Sequence, residues 1–301
     1  MLAIVLALAS AIGYGGSDFA AGLASRRAGV IQVTLLASAV SALIVAAALP
    51  FAASRPPGAA ALAWGAAAGL GGTLGAFALY LGFRHAAFSV AGPLSAVGAA
   101  GFSVLAGLLF GERPTALALT GIVLALPAIV GVSASAASGT AGASGTARGS
   151  GTAWGSGTAG GRPAAGVMLG LIAGACFALL FIGLNRAGPG SGLWPVAAAA
   201  VAEVAAALAA AVATRNLRLP GARPRVLAAI TGATGASGTI LYFLATHDGF
   251  LAVTAVLTSL YPAVTIVLAR AMLGERLTAL RLAGLTLAGA CVALIAVGGA
   301  G

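Results

Sequence analysis

The stretch Ala100–Ala125, AGFSVLAGLLFGERPTALALTGIVLA, occurs twice. Shifted by 163 residues it reads AVTIVLARAMLGERLTALRLAGLTLA at Ala263–Ala288, with 14 of 26 positions identical and Gly-Glu-Arg at the centre of both copies. Apolar composition alone does not produce such a match, so the chain is an internal duplication. The same shift carries Gly69, Gly72 and Gly75 onto Gly232, Gly235 and Gly238, and Val90 and Leu94 onto Val253 and Leu257. With one residue inserted, His85-Ala-Ala-Phe88 echoes His247-Asp-Gly-Phe250. Two halves, residues 1–133 and 165–301, therefore share one architecture.

Composition sets the solvent. With 301 residues, 60% hydrophobic and 7% charged, and a mean hydropathy of +1.09, the chain has more apolar side chain than a globule of its size can bury. It belongs in a lipid bilayer. The net charge of +10 would suggest nucleic acid in a soluble protein, but that needs a basic patch or stripe. Here the 15 basic residues are all arginines, and they fall singly or in pairs between apolar runs, as interfacial anchors do. Nucleic acid is not an expected partner. Cys176 and Cys291 sit in apolar segments without metal-ligand spacing, so they read as packing residues, and no metal or cofactor is implied. The first apolar run, unpreceded by a basic segment, reads as a retained span rather than a cleaved signal.

A span needs about 20 apolar residues. Ten such runs are present, at 2–24, 30–52, 59–83, 87–110 and 115–133, then at 165–186, 194–213, 225–246, 249–272 and 279–299. Five spans per half is an odd number, so consecutive halves enter the membrane from opposite sides. The fold class is therefore an all-α integral membrane protein of ten transmembrane helices, arranged as two inverted five-helix repeats. Carriers of that design place their cavity at the interface between repeats. Between the halves, residues 134–164 repeat SGTA-like units and hold too little apolar bulk to offset ordering entropy. This segment is expected to be a disordered tether.

The glycines at 69, 72, 75 and at 232, 235, 238 lie three apart and form a slowly drifting stripe on one helix face. Such a stripe lets backbones approach closely in lipid. The third and eighth spans are thus expected to pack closely on neighbours, each other among the candidates. Pro93, Pro127 and Pro262 interrupt the fourth, fifth and ninth spans, each removing a backbone donor. The carbonyls they free, beside Ser95, Thr258, Ser259 and Tyr261, suggest either a polar cavity lining or a kink compensated locally by hydroxyls.

Charge at membrane depth is the sharper clue, because a central acid costs roughly 2.5–3.5 kcal/mol even on the mildest scales. Asp18, in Tyr14-Gly-Gly-Ser-Asp18, and Glu203, in the middle of the seventh span, are the two acids so placed. Apolar surroundings favour the neutral form of a carboxyl, which a proton-coupling site requires. The alternative for either acid is a place near enough to the interface to snorkel or to pair with an arginine such as Arg26. Tyr14 lies one turn before Asp18, and together with Ser95, Thr258 and Tyr261 completes the candidate substrate- or proton-binding set.

The duplicated Gly111-Glu112-Arg113 and Gly274-Glu275-Arg276 lie at span ends, where Thr115 and Thr278 are natural N-caps and the arginines can anchor in head groups. His85 and His247 occupy similar corners, and Trp64 and Trp194 stand at span starts, as an aromatic belt would have them. Two five-span units, each with a Gly-Glu-Arg-x-Thr corner before a short final span, resemble the EamA-type permeases of the drug/metabolite transporter superfamily. The resemblance covers nearly the whole chain outside 134–164. The opening Gly13-Tyr-Gly-Gly-Ser-Asp-Phe19 and Leu23-Ala-Ser-Arg-Arg27 are similar to a bacterial branch of that family. The terminal ends depart from the pattern in lacking the basic tails many relatives carry. The resemblance implies a multi-pass plasma-membrane carrier of a small metabolite such as an amino acid, more often an exporter, and brings no catalytic residue with it.

An enzyme is not expected, since no nucleophile, base or metal set clusters at membrane depth, and no phosphate-binding loop offers ATP coupling. The alternative within transport is a proton-coupled multidrug exporter similar to the small multidrug resistance proteins, and a remoter one is a non-transporting sensor or assembly protein. Orientation is pulled two ways. Twelve arginines (26, 27, 84, 148, 162, 215, 218, 223, 225, 270, 276, 281) border the connections on one face and three (55, 113, 186) the other, which puts the termini outside. The resemblance puts them in the cytoplasm, the choice favoured here because the bias lies almost wholly in the second half.

Overall fold

The computed structural model describes residues 1–25, 27–52, 57–85, 88–134, 163–274 and 279–298, with backbone alone at 80–93, 132–134, 163–166, 189 and 273. Helices α1 (Leu2–Ser25), α2 (Val30–Ala48), α3 (Ala59–His85), α4 (Phe88–Leu109) and α5 (Ala116–Ala134) form the first half. The second comprises α6 (Pro163–Arg186), α7 (Trp194–Ala213), α8 (Ala222–Asp248), α9 (Leu251–Thr258), α10 (Tyr261–Leu273) and α11 (Ala279–Gly298). Eight of the resulting spans are long and apolar enough to cross a bilayer, counting α9 and α10 as one, and Leu94–Leu109 and Ala116–Gly131 are shorter apolar helices. The protein is an all-α, multi-pass membrane protein of ten spans, with limits within a few residues of those read from the sequence. The tether at 134–164 lies almost wholly outside the described residues, as do Glu275, Arg276, Thr278 and Arg26.

The ninth span is broken. Leu260 N–H turns back to the Leu257 carbonyl (3.2 Å), and Ala263 N–H to that of Leu260 (2.9 Å), so α9 stops and α10 starts afresh. Pro262 then stands in the first turn of α10, where a missing N–H costs nothing. Pro127 lies inside α5 without ending it, and α4 runs as one helix through position 93. Only the third of the three expected interruptions, Pro262, divides a helix.

Helix partners follow the duplication. Helix α3 packs on α6 and α7, and α8 packs on α1 and α2, so the third and eighth spans each embrace the opposite half and not one another. The same exchange relates α4 on α6 to α9 and α10 on α1, while α2 with α7, α4 with α9 and α5 with α11 map onto themselves. Directions show the inversion. On α5 and α11, the fifth span and its own repeat counterpart, Gly121 faces Cys291 and Ile295, and Gly131 faces Gly284, while Gly298 returns to Ala118. The two copies therefore run antiparallel. A buried apolar core of Ile4, Ala7, Ala100, Ile129, Val256, Leu257 and Ile295, among others, joins α1, α4, α5, α9 and α11.

Candidate functional site

Toward one face of the bundle the packing opens. A cavity of about 190 Å³ lies between α1, α2, α3, α6, α7 and α8. The contributions of α1 (Tyr14, Ser17, Asp18), α2 (Val33, Thr34, Ser38, Ser41) and α3 (Gly72, Thr73, Ala76, Leu79) come from the ends that meet the 1–2 and 3–4 connections. Phe177 and Leu180 of α6, Glu203 of α7, and Thr231, Gly235 and Thr239 of α8 close it. The cavity thus lies toward the face opposite the N-terminus.

Both membrane-depth acids line it. Glu203 is ten residues from the end of the α7 helix at Ala213, about 15 Å at 1.5 Å per residue, which is the middle of a hydrocarbon core about 30 Å thick. A narrow recess beside it is walled by Ser41, Val45, Val196, Ala199, Ala200 and Thr239. Asp18 is seven residues from the end of α1 at Ser25, nearer the mouth by about 5 Å on the same rise. Neither carboxyl makes a hydrogen bond or ion pair with a described residue.

Helix α1 is held against α8 by hydroxyls, two of them from residues that form the wall. Ser10 donates to the Gly238 carbonyl (2.8 Å), the Tyr14 hydroxyl bonds that of Thr239 (3.0 Å), and Ser17 donates to the Thr231 carbonyl (3.0 Å). Close approach is possible because glycine stands opposite at the crossing, where a Cβ on Gly13 would come within 2.8 Å of the Gly238 backbone. Ser95, Thr258 and Tyr261 are not among the lining residues. Ser95 is fully buried in α4. Thr258, also fully buried, donates to the Ala7 carbonyl across to α1 (3.3 Å), and Tyr261 opens α10. Of the six candidates, the structure brings Tyr14, Asp18 and Glu203 together.

The corner motif has a partner that the sequence did not reveal. The Glu112 carboxylate accepts the N–H of Leu251 through one oxygen and that of Ala252 through the other (2.9 Å), capping the first turn of α9. A carboxylate at a helix N-terminus satisfies orphan donors and meets the positive end of the helix dipole. Gly111 supplies the required backbone with φ of 89°, a region open to glycine. Thr115 caps α5, accepting Ala118 N–H (3.3 Å), and donates to the Gly298 carbonyl at the end of α11 (2.8 Å). Arg113 is exposed. Gly274 takes the left-handed conformation, φ 68°, at the end of α10. The His247 ring lies edge-on to Phe243, 4.7 Å between centroids, at the end of α8, while the His85 side chain lies outside the described residues.

Carriers built from inverted helical repeats place their solute site in such a cavity. The model of the EamA-like transporter family matches residues 1–134, so the first repeat is similar to that family. No curated protein matches the chain significantly. A solved structure described only as "Crystal structure of protein" aligns over 96% of each chain with a TM-score of 0.70 and 16% identity. At that identity the likeness shows the fold alone.

Proposed function

We propose that the chain is a secondary active transporter that exports a small metabolite across the plasma membrane by alternating access. The substrate would bind in the cavity between α1, α2, α3, α6, α7 and α8. Asp18, Glu203 or both would couple its movement to protons. The observation that carries this reading is the meeting of two acids, unpaired among the described residues, in one cavity at membrane depth. An acid there must be neutral, paired or wet, and a proton and a substrate can each discharge it in turn. With cytoplasmic termini the mouth faces outward, the conformation from which an exporter releases. A C-terminal reporter active only on the outer side would reverse that assignment.

Asp18→Asn and Glu203→Gln keep shape and hydrogen bonding but remove titration. In reconstituted vesicles, at least one should express normally, keep exchange or downhill flux, and lose flux driven by a pH gradient. Unchanged pH-driven flux in both single variants and in the double variant would make the acids structural.

A further inference from the structure

Resting on the carrier reading, the hydroxyls of the cavity narrow what it can hold. A hydroxyl has one hydrogen to give and two lone pairs to offer. Ser17 gives its hydrogen to the Thr231 carbonyl, and Ser38 to that of Leu35. Thr73 gives its own to Gly69, Thr231 to Leu227 and Thr239 to Gly235. With the Thr239 hydrogen so committed, the Tyr14 hydroxyl is left to donate to Thr239, and its oxygen stays free to accept. Six hydroxyls in the wall are therefore acceptors only, beside two carboxyl groups that accept when ionised. Ser41, 9% exposed and without a hydrogen-bond partner among the described residues, lines both the cavity and the recess at Glu203. Thr34 in the same wall is likewise unpartnered among the described residues, so these two hydroxyls can give as well as accept. Of the lining residues none is basic, so nothing there complements an anion.

We propose that the cavity is an acceptor cage for a small cation rich in N–H donors, a primary ammonium or guanidinium compound. Its charged head would sit between Asp18 and Glu203, its N–H groups reaching the hydroxyl oxygens and its stem lying against Phe177, Leu180 and Leu79. Charge-assisted N–H bonds of this kind are the strong ones, and Tyr14 and Phe177 add ring faces to the wall. A quaternary ammonium carries the charge but no donors and leaves the cage unmet. The volume of about 190 Å³ is also below the roughly 300–1,000 Å³ of drug-sized sites. Arg27, Arg215 and Arg218 share the face of the mouth but not the lining, and solvent screens charges beyond about 8 Å at physiological salt.

The test is ligand-induced thermal stabilisation of the full chain in detergent. The probes are n-butylammonium, n-butylguanidinium, tetraethylammonium and butyrate. The first two should raise Tm with dose, and the last two should not. Asp18→Asn and Glu203→Gln, each first shown to unfold near the parent Tm without ligand, should weaken the response about ten- to hundredfold, whereas Arg218→Gln should leave it unchanged. If neither N–H cation stabilises, if tetraethylammonium or butyrate does so equally well, or if both acid variants respond like the parent, the cage is wrong. The two readings fail separately. Flux driven by a pH gradient in vesicles, without any response to the N–H cations, would remove the cage and keep the carrier. Binding without flux would do the reverse.

Discussion

Six glycines that look alike in sequence do different things. A Cβ on Gly69 would run into the Ala199 carbonyl and one on Gly232 into that of Ala37, whereas on Gly72 it would sit 3.5 Å from a Glu203 carboxylate oxygen in ordinary contact. On Gly235 it would approach Ser17 Oγ at 3.2 Å. The spacing explains why the sequence misleads. Steps of three on a helix of 3.6 residues per turn drift by about 60° each, so three glycines sweep a third of the circumference and pass from backbone contact to cavity wall. Gly69→Ala and Gly232→Ala should each cost about 1–3 kcal/mol through overpacking, read as a fall in Tm in detergent. Gly72→Ala and Gly235→Ala should leave Tm near the parent and change KM. Equal destabilisation in all four would show a single packing stripe. Asp18 and Glu203 were legible as candidates because a charge in an apolar run is costly, although an interfacial ion pair is the competing reading. That Ser41 and the α8 threonines share their cavity was not, since hydroxyls are common in membrane helices and only packing decides which way they turn.

Among the elements, α9 depends most on a distant residue. Its eight residues, Leu251–Thr258, are too few to be stable alone, and it is completely buried. Its first two N–H groups end on Glu112, 139 and 140 positions away, so the corner of one half fastens the broken span of the other. Glu112→Ala leaves those donors unmet and should cost about 1–3 kcal/mol. Glu112→Gln, which keeps one acceptor, should lie between. Thermal unfolding in detergent measures both, and a parental Tm for Glu112→Ala would mean that water replaces the cap without loss. Sequence marked the motif by its repetition but could not name its partner, because a cap across halves leaves no trace in local spacing. The division of the ninth span is similar. Pro127 and Pro262 look equivalent, yet the turn at Ser259 and Leu260 precedes only the second.

At the scale of the whole molecule, span number, duplication and inversion were all legible, since each rests on apolar run length or on parity. The neighbours chosen by each span were not, because lipid-facing and helix-facing sides of an Ala- and Gly-rich span carry much the same residues. The duplication keeps Gly72 and Gly235 in the cavity wall but not the polar side chains around them. The 163-residue shift takes Tyr14 to Phe177, Asp18 to Phe181 and Glu203 to Val40, so each polar anchor in the wall answers to an apolar residue in the other copy. A carrier of two like halves would present the same grip to a solute arriving from either compartment. If the proposed cavity holds the solute, its grip is lopsided, and half-saturation constants for zero-trans flux in opposite directions should differ, with equal values refuting this. Detailed balance still ties the two directions together. Unequal grip cannot alter the gradient finally reached, only the concentrations at which each side of the membrane feels the carrier working.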